Sequence, residues 1–235
     1  MNQNNSIGKR RAHWKEASGI LARELGGRYA VAQCDGFVKS FAQNYTVVNE
    51  GDEISRIYMV NEGLLRAFRY LSDGRRQITH FLFPNDFVGL MDGDRYPENV
   101  ETVMTTKLTS LSQVETQKFI QDNIVIKEAL ENETKNLLRR SNTLQLILGR
   151  LAPIEKLSCF IILLHERSPE AELLHIPMPR QDIADFLGVT IETVSRSFTR
   201  LRKLGLIAVR DPNTIEICSL ATLEQVAGTK IPAES

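Results

Sequence analysis

The rhythm of hydrophobic and polar positions changes along this chain, and each rhythm predicts a different kind of element. Between Phe37 and Val114, short runs rich in β-branched and aromatic residues alternate with clusters of Gly, Asp and Asn. The runs are Tyr45–Val48, Arg56–Val60, Leu64–Leu71, Gln77–Phe83, Phe87–Leu90 and Met104–Val114. Asn49–Asp52, Asn61–Gly63, Ser72–Gly74 and Pro84–Asp86 punctuate them. Strands recurring about every 8–12 residues between such turn signals read as an antiparallel sandwich, jelly roll or barrel. Ahead of them, residues 1–33 read as a tail passing into a short helix around His13–Leu25, stopped by Gly26 and Gly27.

Residues 118–150 follow a helical period instead. Leu130, Leu137, Leu144 and Leu151 recur at a spacing of seven, and Leu138, Ile147 and Leu148 widen the stripe. A core-facing helix and a coiled-coil-like contact between two chains both produce such a pattern. Length favours the second, because about 25–30 residues of helix span ~40 Å, more than a domain this small needs. The stripe therefore predicts an intersubunit seam, with Leu130, Leu137, Leu144 and Leu148 as dimerisation residues. Gly149–Pro153 then marks a boundary, since proline suits the first turn of a new helix and not the interior of an old one. Ile154–His165 reads as an amphipathic helix, broken at Ser168–Glu170 and followed by an extended piece, Leu173–Pro177.

Pro179–Leu204 has the layout of a helix-turn-helix. Ile183, Ala184 and Leu187 give a first helix its buried face, Gly188 supplies the turn, and Thr190 is a good N-cap for a second helix. Ile191, Val194, Phe198 and Leu201 fall at helical spacing and predict the buried face of that second helix. Its early exposed face carries Glu192, Thr193, Ser195 and Arg196. In helix-turn-helix proteins these positions reach base edges in the major groove. Arginine can donate two parallel hydrogen bonds to guanine O6 and N7, and glutamate can accept from cytosine N4. Glu192 and Arg196 also stand at i and i+4, where opposite charges pair on a helix surface. Leu206–Arg210 and Ile215–Ile217, joined through Asp211–Thr214, predict a β-hairpin where a winged helix-turn-helix carries its wing.

Composition adds limits. The 235 residues, 42% hydrophobic and 25% charged, suffice for two modest packed domains. Lys+Arg and Asp+Glu both number 29, so net charge gives no sign of a nucleic-acid partner. Local charge does: Arg196, Arg200, Arg202, Lys203 and Arg210 fall between Thr193 and Arg210 with no acidic residue among them, a patch sufficient to meet phosphates. No apolar run approaches the roughly 18–20 residues that span a bilayer. None follows Lys9, Arg10 and Arg11, so a cytoplasmic address without membrane contact is expected. Cys34, Cys159 and Cys218 are too far apart and too few for a disulfide framework or a CxxC metal knuckle. Glycine-rich phosphate loops, HExxH helices and GxSxG elbows are missing, so no enzyme is expected, and Asp92, Asp94 and Glu98 read as a solvated loop.

Residues 180–210 resemble the DNA-binding domain of the CRP/FNR family of bacterial regulators. The run Glu192-Thr193-Val194-Ser195-Arg196 is similar to the E-x-x-S-R signature of its FNR and FixK branch. The resemblance extends over most of the chain, through Glu50–Asp52, Asp73–Ile78 and Phe81–Gly89 to the long helix. It implies an α+β fold: an N-terminal antiparallel β jelly roll of the cyclic-nucleotide-binding kind, a long dimerisation helix and a C-terminal winged helix-turn-helix. The implied domains are residues 1–117, 118–150 and 151–235. The resemblance further implies a homodimer that binds a TTGAT-N4-ATCAA-like inverted repeat in double-stranded DNA and works with RNA polymerase. Glu192 and Arg196 would read the C·G and G·C edges and Ser195 the outer thymine, with Thr193 beside them. Arg180, Gln181 and Arg200 would be phosphate or positioning contacts.

The family's sensory patterns are absent. Its cyclic-nucleotide branch carries a glutamate just after a Phe-x-Gly strand and an Arg-Ser/Thr pair downstream. Here Leu90 follows Phe87-Val88-Gly89, and Asn99-Val100-Glu101 stands where the arginine belongs. A glutamate there would repel a cyclic phosphate, and Arg95 reads as a solvated loop charge. The oxygen-sensing branch uses clustered cysteines, whereas Cys34 is alone in the first 158 residues and such a cluster needs about four thiolates. Haem would need His80, the one histidine of the β-rich half, which reads as structural. These departures resemble FixK-type regulators, which act downstream of another sensor, and imply no cofactor and no metal. The alternative is an effector-gated regulator of the same fold that holds haem or a small molecule in the β-roll.

Overall fold

The computed structural model describes residues 38–90, 93–122, 124, 148–167 and 173–228. The chain divides into two compact units, one holding the β-rich half and the other the C-terminal region.

In the β-rich unit the strands are β1 (Val38–Phe41), β2 (Thr46–Val48), β3 (Arg56–Glu62), β4 (Leu65–Tyr70), β5 (Arg76–Leu82), β6 (Phe87–Val88), β7 (Asn99–Thr102) and β8 (Thr106–Ser112). They form two four-stranded sheets, ordered β1-β8-β3-β6 and β2-β7-β4-β5. Every pairing is antiparallel. The chain passes repeatedly from one sheet to the other, which is the expected jelly-roll arrangement. Alternation along each strand sends Leu65 and Ala67 of β4, Val100 of β7, Leu82 of β5, and Val60 and Leu108 of the facing sheet into one apolar interior. Tyr96 joins that interior and donates its hydroxyl to the Arg56 carbonyl at 2.5 Å. Gly89 makes room for the ring: its φ is +78°, and a Cβ there would lie 2.8 Å from Tyr96 Cε1.

The other face of the second sheet holds a buried charge pair. Arg66 and Glu101 stand opposite each other on β4 and β7. The Arg66 guanidinium donates to Glu101 Oε2 from Nη2 at 2.7 Å and from Nε at 3.2 Å, and Nη2 also reaches Asn44 Oδ1 at 3.1 Å. Arg66 is only 7% exposed, so this pairing is what makes its burial tolerable.

The expected strands are present with shifted ends. The run 104–114 forms β8 only from Thr106 to Ser112, and Gln113 already opens helix α1 (Gln113–Gln121). Strand β7 was not expected, because Val100 is its only large apolar residue and its opposite face carries Glu101. His80 stands half-exposed on β5, with Nδ1 3.4 Å from Glu98 and 3.1 Å from the Thr79 hydroxyl.

In the C-terminal unit, α2 (Pro153–Arg167) starts at the proline that breaks the preceding sequence pattern. Strand β9 (Leu173–His175), helices α3 (Arg180–Leu187) and α4 (Ile191–Lys203), strands β10 (Ile207–Asp211) and β11 (Thr214–Ile217), and helix α5 (Leu220–Val226) follow. The α2 helix packs on α4 and α5. The Lys156 ammonium, buried in α2, donates to the Leu148 carbonyl at 3.0 Å and to the Leu187 carbonyl at 3.3 Å. Helix α5 was not expected; Ser219 caps it by accepting from the Thr222 N–H at 3.4 Å, and Leu223 is fully buried. Of the four expected dimerisation leucines, Leu148 lies half-buried in a helical turn, while Leu130, Leu137 and Leu144 fall outside the described residues. So do the expected helix at 13–25 and Cys34. Among the described residues, no helix is long and apolar enough to cross a membrane.

Replacing Arg66 by Met should destabilise the protein by about 2–4 kcal/mol in urea unfolding, because Glu101 loses its counter-charge while still largely buried. A change below about 0.5 kcal/mol, the level of an ordinary surface substitution, would show that the pair is not holding the sheet.

Candidate nucleic-acid interface

Helix α3 buries Ile183, Ala184 and Leu187, as its apolar spacing predicts. Its Phe186 ring lies 5.6 Å from the Phe160 ring of α2. Gly188 then adopts the left-handed conformation, φ 63° and ψ 40°, and the N–H of Val189 turns back to the Ala184 carbonyl at 3.1 Å. That conformation ends the helix and redirects the chain at little cost only for a residue without a Cβ.

Two residues later Thr190 is extended, and its hydroxyl accepts from the Thr193 N–H at 3.3 Å, which starts α4. The face of α4 formed by Val194, Ser197, Phe198 and Leu201 is buried and packs on α2 and α3. Ile191 was expected on that face but is 37% exposed. It follows the cap directly, and the buried stripe begins only at Val194. Glu192, Ser195, Arg196, Thr199 and Arg200 are exposed, and Thr193 is half-buried.

The electrostatics of this face differ from the simple pairing expected of Glu192 and Arg196. The backbone N–H of Glu192 and the Thr190 hydroxyl, with a smaller contribution from Arg196, hold the Glu192 carboxyl below the usual carboxylate range. Unsatisfied N–H groups in the first helical turn attract the carboxylate more effectively than a flexible arginine does. Arg196 donates instead to Thr193 Oγ1 at 3.4 Å. The two charges thus remain separate: an anionic acceptor and a cationic fork on one exposed face. The Ser195 hydroxyl donates to the Ile191 carbonyl at 2.9 Å. Arg200, Arg202 and Lys203 occupy the last turn, where the helix dipole favours cations.

The expected wing is present and larger than expected. Strands β10 and β11 pair across the turn at Pro212 and Asn213, and β9 adds a third strand beside β11. Asp211 Oδ1 accepts from the Asn213 N–H at 2.8 Å. The N–H of Asn213, followed by Thr214, holds the Asp211 carboxyl below its ordinary range. Arg210 pairs with Glu216 across the hairpin, so one of the five basic residues of the sequence patch has a local counter-charge.

The remaining sequence-predicted residues divide. Gln181 is exposed at the start of α3 and donates to Asp185 Oδ1 at 2.7 Å. Arg180 is half-buried, with Cζ 3.6 Å from the Phe198 ring centroid. Ile191 and Thr199 share the exposed surface of α4 and were missed, although adjacency to the cap was a sequence signal for Ile191.

Comparisons with known proteins agree with this geometry. A model of the Crp-like helix-turn-helix domain matches residues 155–226, and one of the cyclic nucleotide-binding domain matches residues 38–123. The nitrogen fixation regulation protein FixK of Rhizobium meliloti is 34% identical over 180 residues, covering 77% of this chain and 82% of that protein. The transcriptional activator protein FnrA of Stutzerimonas stutzeri is 30% identical over 190 residues, covering 75% and 77% respectively. The structure of FixK2 from Bradyrhizobium japonicum superposes with a TM-score of 0.77 at 27% identity, covering 82% of this chain and 98% of that one.

The match to a cyclic nucleotide-binding domain invites a test of fit, and the described residues do not fit that ligand. A cyclic phosphate needs a cation, whereas the roll interior presents Leu65, Ala67, Val100 and Tyr96. Arg66 lies on the opposite face with Glu101, and Arg95 is exposed and donates to the Gly51 carbonyl at 2.6 Å. The expected repulsion from Glu101 is also misplaced, because strand alternation points Val100, not Glu101, inward. The helix-turn-helix with its wing, the double-sheet roll and relatives that match over more than three-quarters of the chain together identify it as a member of the CRP/FNR family of DNA-binding transcription regulators, in its FixK-like branch.

Proposed function

We propose that this regulator acts as a homodimer and reads a TTGAT-N4-ATCAA-like inverted repeat with the first two turns of α4. The observation that carries this reading is the shared exposed face of Glu192, Ser195 and Arg196 beside the Thr190 cap. Each has major-groove chemistry. Arg196 offers guanine two parallel donors, the ionised Glu192 accepts from cytosine N4, and Ser195 suits the outer thymine. Ile191 adds an apolar group of the kind that packs on a thymine methyl. Thr193 keeps Arg196 in place through its hydroxyl. Gln181 and Arg200, exposed to either side, suit phosphates.

An inverted repeat requires a two-fold partner, and the stripe Leu130, Leu137, Leu144 and Leu148 in the segment 118–150 would supply it, between a sensory-type domain at 1–117 and a DNA-binding domain at 151–235. The protein would act in the cytoplasm together with RNA polymerase, and it is not an enzyme. Apolar filling of the roll supports a regulator that works without a bound cofactor.

In fluorescence anisotropy at fixed salt, the wild-type protein should bind a TTGAT-N4-ATCAA duplex far more tightly than a scrambled duplex of equal composition. Replacing Arg196 by Ala should cost about 1–3 kcal/mol per half-site. Equal affinity of the wild type for both duplexes would sink the specificity claim. In sedimentation, the wild type should run as a dimer and Leu137→Glu as a monomer with weakened repeat binding, since a buried charge breaks a leucine seam. A monomeric wild type that still binds the repeat tightly would contradict the seam.

A further inference from the structure

Among the basic residues near the helix-turn-helix, Arg180 is held differently from the rest. Arg196, Arg200, Arg202 and Lys203 are exposed along α4, whereas Arg180 is half-buried at the start of α3. Its guanidinium carbon stands 3.6 Å from the centroid of the Phe198 ring, in contact with the ring face. Phe198 is itself 5% exposed in the middle of α4. The same guanidinium donates from Nη2 to the Pro212 carbonyl at 3.3 Å, in the turn between β10 and β11. One rigid group therefore touches the start of α3, the middle of the helix that carries Glu192 and Arg196, and the wing.

The backbone prepares that placement. Pro179 precedes Arg180 with φ −57° and ψ 151°, and the N–H of Ile176 ties this segment to the Asn213 carbonyl at 2.6 Å. Desolvation pulls the Arg180 pKa down from the ordinary arginine value, consistent with a side chain laid against the body of the unit. A planar guanidinium lies flat on a ring and donates in its own plane at once, a fit that the compact tetrahedral ammonium of lysine reproduces only in part.

We propose that Arg180 is a positioning residue for DNA reading: it clamps α4 and the wing turn to the start of α3 through Phe198 and Pro212. This rests on the reading of α4 as the base-contacting helix. Base readers tolerate displacements of only about 0.5 Å before geometry is lost. A loosened clamp should therefore weaken binding without removing a phosphate contact.

The test is repeat binding by Arg180→Lys, Arg180→Ala and Phe198→Leu, each over a salt series, with thermal unfolding and amide exchange of the same dimeric samples. The clamp predicts that Arg180→Lys and Arg180→Ala both weaken repeat binding about tenfold, with the slope of log affinity against log salt nearly unchanged. It also predicts faster exchange at Asn213 and a non-additive effect when Arg180→Ala is combined with Phe198→Leu. A phosphate contact predicts the opposite: rescue by lysine, and for alanine a slope shallower by about 0.9 per half-site. Rescue by lysine, or additivity of the two substitutions, overturns the clamp. Should Phe198→Leu unfold, the comparison of lysine with alanine decides alone. A wild type that fails to discriminate the repeat contradicts the base-reading assignment itself, an outcome distinct from either result at Arg180.

Discussion

The stripe Val194, Phe198 and Leu201 packs on α2 and α3, and that burial decides which residues of α4 meet solvent. On a helix of about 3.6 residues per turn, fixing one face fixes the other. Glu192, Ser195 and Arg196 are exposed together because their neighbours are not. The Thr190 cap sets where the helix begins, and Gly188 sets the angle at which it leaves α3. Each depends on local chemistry, a side-chain acceptor for an orphan N–H in one case and a missing Cβ in the other. The result is a charged face whose two opposite charges do not consume each other, since the helix N-terminus holds the carboxylate and Thr193 holds the guanidinium. Separated charges can each meet a base.

The same two-faced logic governs the roll. Strand alternation fills its interior with Val, Leu, Ala and the Tyr96 ring, and it sends Arg66 and Glu101 to the opposite side. One face of that sheet is packed by apolar side chains and the other carries the Arg66–Glu101 ion pair. Among the described residues, the interior of a roll that matches the cyclic nucleotide-binding domain in fold is lined by apolar side chains, with Arg66 turned away from it toward Glu101.

Much of this architecture was legible in the sequence because it rests on periodicity and punctuation. The helix-turn-helix was readable from the spacing of Ile183, Leu187, Val194 and Phe198 around Gly188 and Thr190, and the roll from its recurring turn signals. What escaped has identifiable causes. Strand β7 hides because a cross-strand salt bridge replaces one of its apolar faces, so no alternation shows. Helix α5 is too short for its period to stand out, and its Ser219 cap was the only clear signal. Ile191 shares the spacing of a core residue, but a position directly after a cap precedes the first contact of the helix with its neighbours. The partners of Arg180 and Arg210 are set by tertiary approach. Charge counting could not distinguish an arginine stacked on Phe198 or paired with Glu216 from one that faces DNA.

Whether Arg196 reads a guanine edge is decided by altering one atom of the DNA. Substituting 7-deazaguanine for the guanine of each TTGAT half-site replaces N7 by a carbon and leaves base pairing intact. If Arg196 donates to N7, this weakens binding by the wild-type protein by about tenfold per half-site and has little further effect on Arg196→Ala. Equal sensitivity of the two proteins to the substitution, or none in the wild type, would contradict that contact.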